Sequence, residues 1–364
     1  MNRISRGAVV LSAAAIVLVW FVAQPAWGER PAEVKPVAVK PADIKPAKPK
    51  PAEVTDPGPF LGEYTGKFTP ASGSPEDAVG KVFGVGDDAY KVVLILTAKE
   101  TDLKTWVQLQ GKADGEKLAI SGKAGDADWS GTLQDKQFVA EAKGDKGGKF
   151  DLKFGERKSP SEGQKPPKDA IVLLAFEEGK APSLDAWDNK TWVPAPDGCM
   201  HKGKGDIKTN QKFADVQLHL EFMCPYMPAA GGQGRGNSGV YFQDRYEVQV
   251  LDSFGLVPQK NECGALYNVA APKVTASLPP LRWQTYDITF RAPRVTDGKV
   301  TKPGTITVLH NGIKIVDTQE LPGSPSNPAG ARGVVPTGPI KLQDHGNTVK
   351  YRNVWLVELK EEEK

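Results

Sequence analysis

Short runs of strict apolar–polar alternation recur along the chain, and no stretch carries a long helical period. A period of two matches a strand, whose successive side chains point to opposite faces. In Val216–Phe222 (VQLHLEF), Val216, Leu218, Leu220 and Phe222 share one face, and Gln217, His219 and Glu221 the other. In Tyr246–Leu251 (YEVQVL), Tyr246, Val248 and Val250 oppose Glu247 and Gln249, with Leu251 on the polar side. The 38 Gly and 30 Pro punctuate these runs as turns. The pattern predicts an all-β protein.

Residues 1–28 read as an export signal. Arg3 and Arg6 precede the apolar run Ala8–Ala23, and small residues at Ala26 and Gly28 suit a cleavage site. An uncleaved anchor is the alternative, because the run is near the lower limit for spanning a bilayer. Residues 29–59 repeat Pro, Lys and Ala (PAEV at 31–34 and again at 51–54), the composition of a semi-rigid linker. Residues 60–157 predict a small antiparallel β meander, with strands at Tyr90–Thr97, Thr105–Gln110, Lys117–Ser121, Trp129–Leu133, Gln137–Ala142 and Lys149–Phe154. It contains no His and no Cys, so it reads as an accessory domain. Residues 158–170 form a second linker. Residues 171–360 predict a β-sandwich or jelly roll, with Asn311-Gly312 as the type I′ turn of a hairpin.

The charge balance of 47 Lys and Arg against 44 Asp and Glu leaves +3, with no basic block interleaved with aromatics. Nucleic acid is therefore an unexpected partner. Three cysteines leave an odd thiol, and one disulfide could form in an oxidising compartment. No zinc-type Cys spacing occurs, and Gly231–Gly239 (GGQGRGNSG) precedes a strand rather than opening a helix. No nucleotide cofactor is expected.

The polar strand faces are where chemistry could sit. If the two runs adjoin, Gln217, His219 and Glu221 would share a concave face with Glu247 and Gln249. Such a face could grip a polyol, hold a cation or merely meet water. The Gly-rich stretch could present Arg235, Asn237 and Ser238. Gln343, Asp344 and His345 cluster after a strand, and an imidazole beside an acid is a candidate acid/base.

Several spaced motifs now coincide: GNSGVYFQDRYEVQVLDS, CGALYNVAAP, RWQTYDITF, VLHNGIKI and GPIKLQDHGNTVKYRNVWL. Together they resemble an exported bacterial family, the 3-keto-disaccharide hydrolases (3-keto-glucoside 1,2-lyase/3-keto-2-hydroxy-glucal hydratase domains), formerly a domain of unknown function. The resemblance spans residues 171–359. It implies a concanavalin A-like jelly roll and cleavage of 3-keto-glycosides. A C3 ketone acidifies the C2 hydrogen, so a base can start an elimination that expels the C1 substituent, with hydration of the product to follow. On this resemblance Glu247 and His345 are the catalytic candidates. Asn237, Arg245, Gln249, Asp252, Tyr267, Trp283, Gln343, Asp344 and Arg352 are substrate-binding candidates. A divalent cation could serve as electrophile, with Glu221, His219 and Glu247 as candidate ligands. The expected partner is a carbohydrate, a 3-keto-glycoside. The expected location is periplasm, cell envelope or extracellular space, with envelope association through the N-terminal segment. A non-catalytic, lectin-like envelope protein is the alternative, since one scaffold hosts both.

Overall fold

The computed structural model describes residues 53–86, 88–97, 104–326 and 330–360. The expected export signal and most of the 29–59 linker lie outside these described residues.

The first eight strands are β1 (Gly62–Pro70), β2 (Glu76–Gly86), β3 (Ala89–Thr97), β4 (Lys104–Asp114), β5 (Lys117–Ala124), β6 (Ala127–Gln134), β7 (Gln137–Ala142) and β8 (Gly148–Gly155). Each pairs antiparallel with the next, and β1 also pairs with β8, so the meander closes into a barrel. Closure removes both sheet edges. Eight strands enclose a space that side chains can fill. Phe60, Tyr64, Leu94, Phe138, Phe150 and Leu152 fill it. The six strands expected from the sequence are present, but β1 and β2 were not anticipated. Their interior glycines mask the alternation. At Gly66 a methyl group would overlap the Asp151 carbonyl, so the close β1–β8 approach requires glycine there.

The remaining strands are β9 (Ile171–Leu174), β10 (Val193–Pro194), β11 (Met200–His201), β12 (Ile207–Lys208), β13 (Val216–Met223), β14 (Ser238–Phe242) and β15 (Tyr246–Val250). They continue with β16 (Gln284–Arg291), β17 (Arg294–Thr296), β18 (Lys299–Lys302), β19 (Thr305–His310), β20 (Ile313–Glu320), β21 (Ile340–Leu342) and β22 (Lys350–Glu358). A large sheet runs β10-β11-β22-β13-β16-β19-β20, with β9 beside β22. A small sheet runs β12-β21-β14-β15, and β17 pairs with β18 apart from both. The two main sheets form the jelly-roll sandwich. Val216, Leu218, Leu220 and Phe222 of β13 share one buried core with Tyr246, Val248 and Val250 of β15. Phe242 stacks on Phe290 across the sheets, centroids 4.7 Å apart. Each such fully buried side chain stabilises the fold by about 1.5–3 kcal/mol. Asn311 and Gly312 have φ of 51° and 76°, the type I′ geometry expected for the hairpin.

Two expectations change here. Cys199, Cys224 and Cys263 are all buried free thiols, so no disulfide links them. Residues 159–164, expected as part of a linker, are pinned across the outer face of the large sheet. Ser159 Oγ lies 2.6 Å from Thr285 Oγ1, and Ser161 Oγ donates to Asp287 Oδ2 at 2.7 Å. The Gly163 N–H donates to Glu221 Oε1 at 2.7 Å.

Candidate active site

The sandwich sends its two sets of polar strand residues in opposite directions. The apolar face of each sheet points into the shared core, so each polar face points away from the other sheet. Glu247 and Gln249 therefore occupy the outer face of the small sheet, and His219 and Glu221 the outer face of the large one. The expected single concave surface does not exist, because β13 and β15 belong to different sheets.

On the small sheet, register sets the neighbours: Gly239 faces Gln249, and Tyr241 faces Glu247. Tyr241 in turn faces Lys341 on β21. Glu247, Gln249, Tyr241 and Lys341 are all at most 2% exposed. The Tyr241 hydroxyl bonds to the Glu247 carboxylate and accepts from Gln343 Nε2 at 3.0 Å. Burial, then the Glu247 charge, pushes the Tyr241 pKa far up, so the phenol stays a proton donor. Lys341 Nζ lies 3.8 Å from the Tyr241 ring centroid and bonds to Asp244 at 2.7 Å and Asp206 at 3.3 Å. A methyl at Gly239 would overlap Glu247 Oε1, so that glycine makes room for the carboxylate.

The Gly-rich stretch closes one side. It turns through a 3-10 segment, Gly232–Gly234, that brings Gln233 over β15. Gln233 Oε1 accepts from Gln249 Nε2 at 2.8 Å and from Asn237 Nδ2 at 3.2 Å. Residues 264–267 run along the free edge of β15, with the Tyr267 N–H donating to the Glu247 carbonyl at 3.0 Å. Leu266 enters the core, and Tyr267 follows it in the turn beside Glu247. Among the described residues three buried acceptors of this cluster have no donor: Asn237 Oδ1, Gln249 Oε1 and Gln343 Oε1. An orphaned buried acceptor is costly in a folded protein and calls for a ligand or other role.

The structure thus brings together Glu247, Gln249, Asn237 and Gln343, with the Tyr267 backbone alongside. It adds Tyr241, Gln233 and Lys341, which sequence reasoning missed. Alternation in SGVYF already opposes Tyr241 to Val240 and was a usable signal. The other candidates have different duties. Arg245 braces a neighbouring loop, donating to the Gly333, Arg332 and Gln243 carbonyls. Asp252 is paired with Arg235 at 3.1 Å; its burial outweighs the Arg235 charge and raises its pKa. Asp344 accepts from the Gly346 and Gly205 N–H groups and meets Lys202. Burial opposes its ionisation, but those partners win and hold its pKa low. His345 is exposed on the loop that carries Gln343.

Trp283, Arg352, Glu221 and His219 lie on the opposite side of the sandwich, beneath residues 159–164. Arg352 sits between the Trp283 and Phe176 rings, at 4.1 and 4.4 Å from their centroids. Arg352 therefore covers that face of Trp283. Arg352 Nε donates to Glu221 at 2.7 Å, and His219 Nδ1 lies 2.6 Å from Asp287. The candidate cation ligands do not converge, because Glu221 and His219 are on one outer face and Glu247 is on the other. Among the described residues no three His, Cys, Asp or Glu form a metal-holding group.

A cleft of about 1190 Å³ lies elsewhere, lined by residues including Lys212, Asp215, Arg294 and Thr301. Both oxygens of its Asp215 carboxylate are already committed, to Arg294, Arg291 and the Ala292 N–H, and Glu358 also lines it.

Residues 170–357 match the family model of the 3-keto-alpha-glucoside-1,2-lyase-like domain. The chain belongs to this family. Membership makes it a carbohydrate-active, glycoside-processing protein. Two crystal structures described as a "putative glycosyl hydrolase" from Parabacteroides distasonis are also similar. One is 35% identical with a TM-score of 0.48, covering 53% of this chain and 85% of that one. The other is 20% identical with a TM-score of 0.36, covering 53% and 95%. No curated protein matches the chain.

Proposed function

We propose that the protein is an exported enzyme that cleaves 3-keto-glycosides by elimination, with Glu247 as the base. The observation that carries this reading is one buried carboxylate beside three buried acceptors without donors among the described residues. A polyol is the complement of that set, because its hydroxyls supply the missing donors.

Glu247 takes the C2 proton of the sugar. The C–H electron pair enters the C2–C3 bond, and the C3 oxygen gains the charge. Tyr267 is assigned to donate to that oxygen. Tyr241, bonded to Glu247, holds the carboxylate in one orientation. Collapse of the enediolate forms the C1–C2 double bond and breaks the C1–O bond. The leaving oxygen takes a proton, a step assigned to His345. The products are a 3-keto-2-hydroxy-glycal and the freed alcohol. Addition of water across C1–C2 then gives the 3-keto sugar. This differs from hydrolysis by two carboxylates at an oxocarbenium-like centre.

Deuterium at C2 separates the two routes. Elimination predicts slower turnover of the 2-deuterated 3-keto-glucoside, and His345→Ala slowing poor leaving groups more than good ones. Equal rates for the C2-labelled and unlabelled substrate would contradict C2 abstraction. Saturable sugar binding with no product would instead favour the lectin-like reading.

A further inference from the structure

Residues 60–157 contain no His and no Cys, yet a barrel side chain reaches the loop that shapes the candidate site. We propose that Phe83, on β2, is a positioning residue that holds the Gly231–Asn237 loop in its site-forming shape. The inference rests on the Glu247 face being the sugar site.

The loop cannot hold that shape alone. Four of its seven residues are Gly231, Gly232, Gly234 and Gly236. At Gly231, Gly232 and Gly234 nothing packs within 4 Å of where a side chain would begin. Glycines lose the most conformational freedom on ordering, so such a loop needs an external anchor. Its two working side chains, Gln233 and Asn237, flank Arg235.

Arg235 is that anchor, and the barrel supplies its second face. Its Nε lies 3.1 Å from Asp252 Oδ2 and 3.2 Å from the Asp252 carbonyl. Its own carbonyl accepts from the Asp252 N–H at 3.1 Å. Its Nη2 is buried without a hydrogen-bond acceptor among the described residues. The guanidinium instead lies over the Phe83 ring, 5.2 Å from the centroid. A desolvated cation over an aromatic face is attracted to the ring quadrupole. Phe83 thus gives the buried guanidinium a contact besides Asp252.

The same strand clamps the segments on either side. Phe83 packs edge-on against Phe254, centroids 6.4 Å apart. It fills the space above Gly255, where a methyl would overlap the ring. At the other end of the loop, Gly84 leaves room for the Tyr226 hydroxyl, and Gly86 lies against Ala229. Loop start, anchor and strand exit therefore all rest on β2.

The test uses the full chain carrying Phe83→Leu, with Phe83→Met as a second ring-free variant and Phe83→Tyr as the ring-retaining control. Two readouts apply: amide hydrogen exchange along the chain, and the KM and kcat for an aryl 3-keto-glucoside. Loss of the ring should speed exchange at residues 232–237 and raise KM about tenfold, with kcat nearly unchanged. Phe83→Tyr should restore both. Unchanged loop exchange in both ring-free variants would overturn the proposal, as would a uniform rise in exchange across the sandwich. The exchange result stands whether or not the wild-type protein turns over the sugar. Failure of the functional reading is seen separately, as wild-type inactivity.

Discussion

Gly239 decides where Glu247 can stand. Its missing side chain leaves the space that Glu247 Oε1 occupies, and Tyr241 fills the neighbouring position. Gly239→Ala would displace the carboxylate without adding or removing a charge. Displacement of a reacting group by about 1 Å can cost about a hundredfold. The expected result is therefore a fall of that order in kcat/KM, with secondary structure retained by circular dichroism. An unchanged kcat/KM would place the reacting carboxylate elsewhere. At this scale the sequence was half legible. Alternation alone puts Glu247 and Gln249 on one face, and the Gly-rich stretch brings Asn237 beside them. It could not say that His219 and Glu221 face the other way, because that depends on which sheet each strand joins. It also could not show that Trp283 is covered by Arg352, a contact between residues 69 apart in the chain.

At the scale of elements, the 159–164 strap owes its place to a buried ionic cluster. Burial works against the Glu221 charge, but His219, Asn353, Arg352 and the Gly163 N–H outweigh it and bring the carboxyl down to about 2. Burial also works against protonated His219, yet Asp287 and Glu221 prevail and raise its pKa above 6.5. The signs give two limits. The Glu221 contribution is full above its ordinary pKa of 4.5 and is lost as pH falls towards 2. The His219 contribution is full below 6.5 and is lost as pH rises through its raised pKa. After correction for intrinsic exchange, protection of the Gly163 amide should peak between these limits and fall on both sides. A flat profile would contradict the cluster's role. Glu221→Gln removes the closer of Arg352's two carboxylates and leaves it Glu162 at 3.1 Å, and should cost about 1.5–3 kcal/mol of stability. Chemical denaturation measures that directly. The strap's Lys, Ser, Gly and Pro composition predicts a linker, since nothing local in KSPSEGQKPPKD marks what it will bind. Its partners come from β13, β16 and β22, far along the chain.

Across the whole molecule, the described residues between 53 and 360 belong to one compact unit. The barrel and sandwich share an apolar contact in which Phe83 and Val93 meet Phe254, with Leu61, Ile95, Trp106 and Leu256 around them. Removing the barrel would expose Phe254 and strip Arg235 of its aromatic face. The intact chain is therefore expected to unfold in one calorimetric transition, whereas two resolved transitions would show independent domains. Barrel closure was hidden in the sequence because β1 and β2 carry glycines where alternation needs side chains. The jelly roll was legible because β13, β15, β16 and β19 alternate cleanly.

The most direct test is NMR of the products formed from a 3-keto-disaccharide by the full chain and by Glu247→Gln. The wild-type protein is predicted to release a 3-keto-2-hydroxy-glycal or its hydrate. The variant should be folded and slower by about 10²–10⁴-fold, the usual worth of a positioned base. Wild-type turnover matched by Glu247→Gln would contradict the assignment of Glu247.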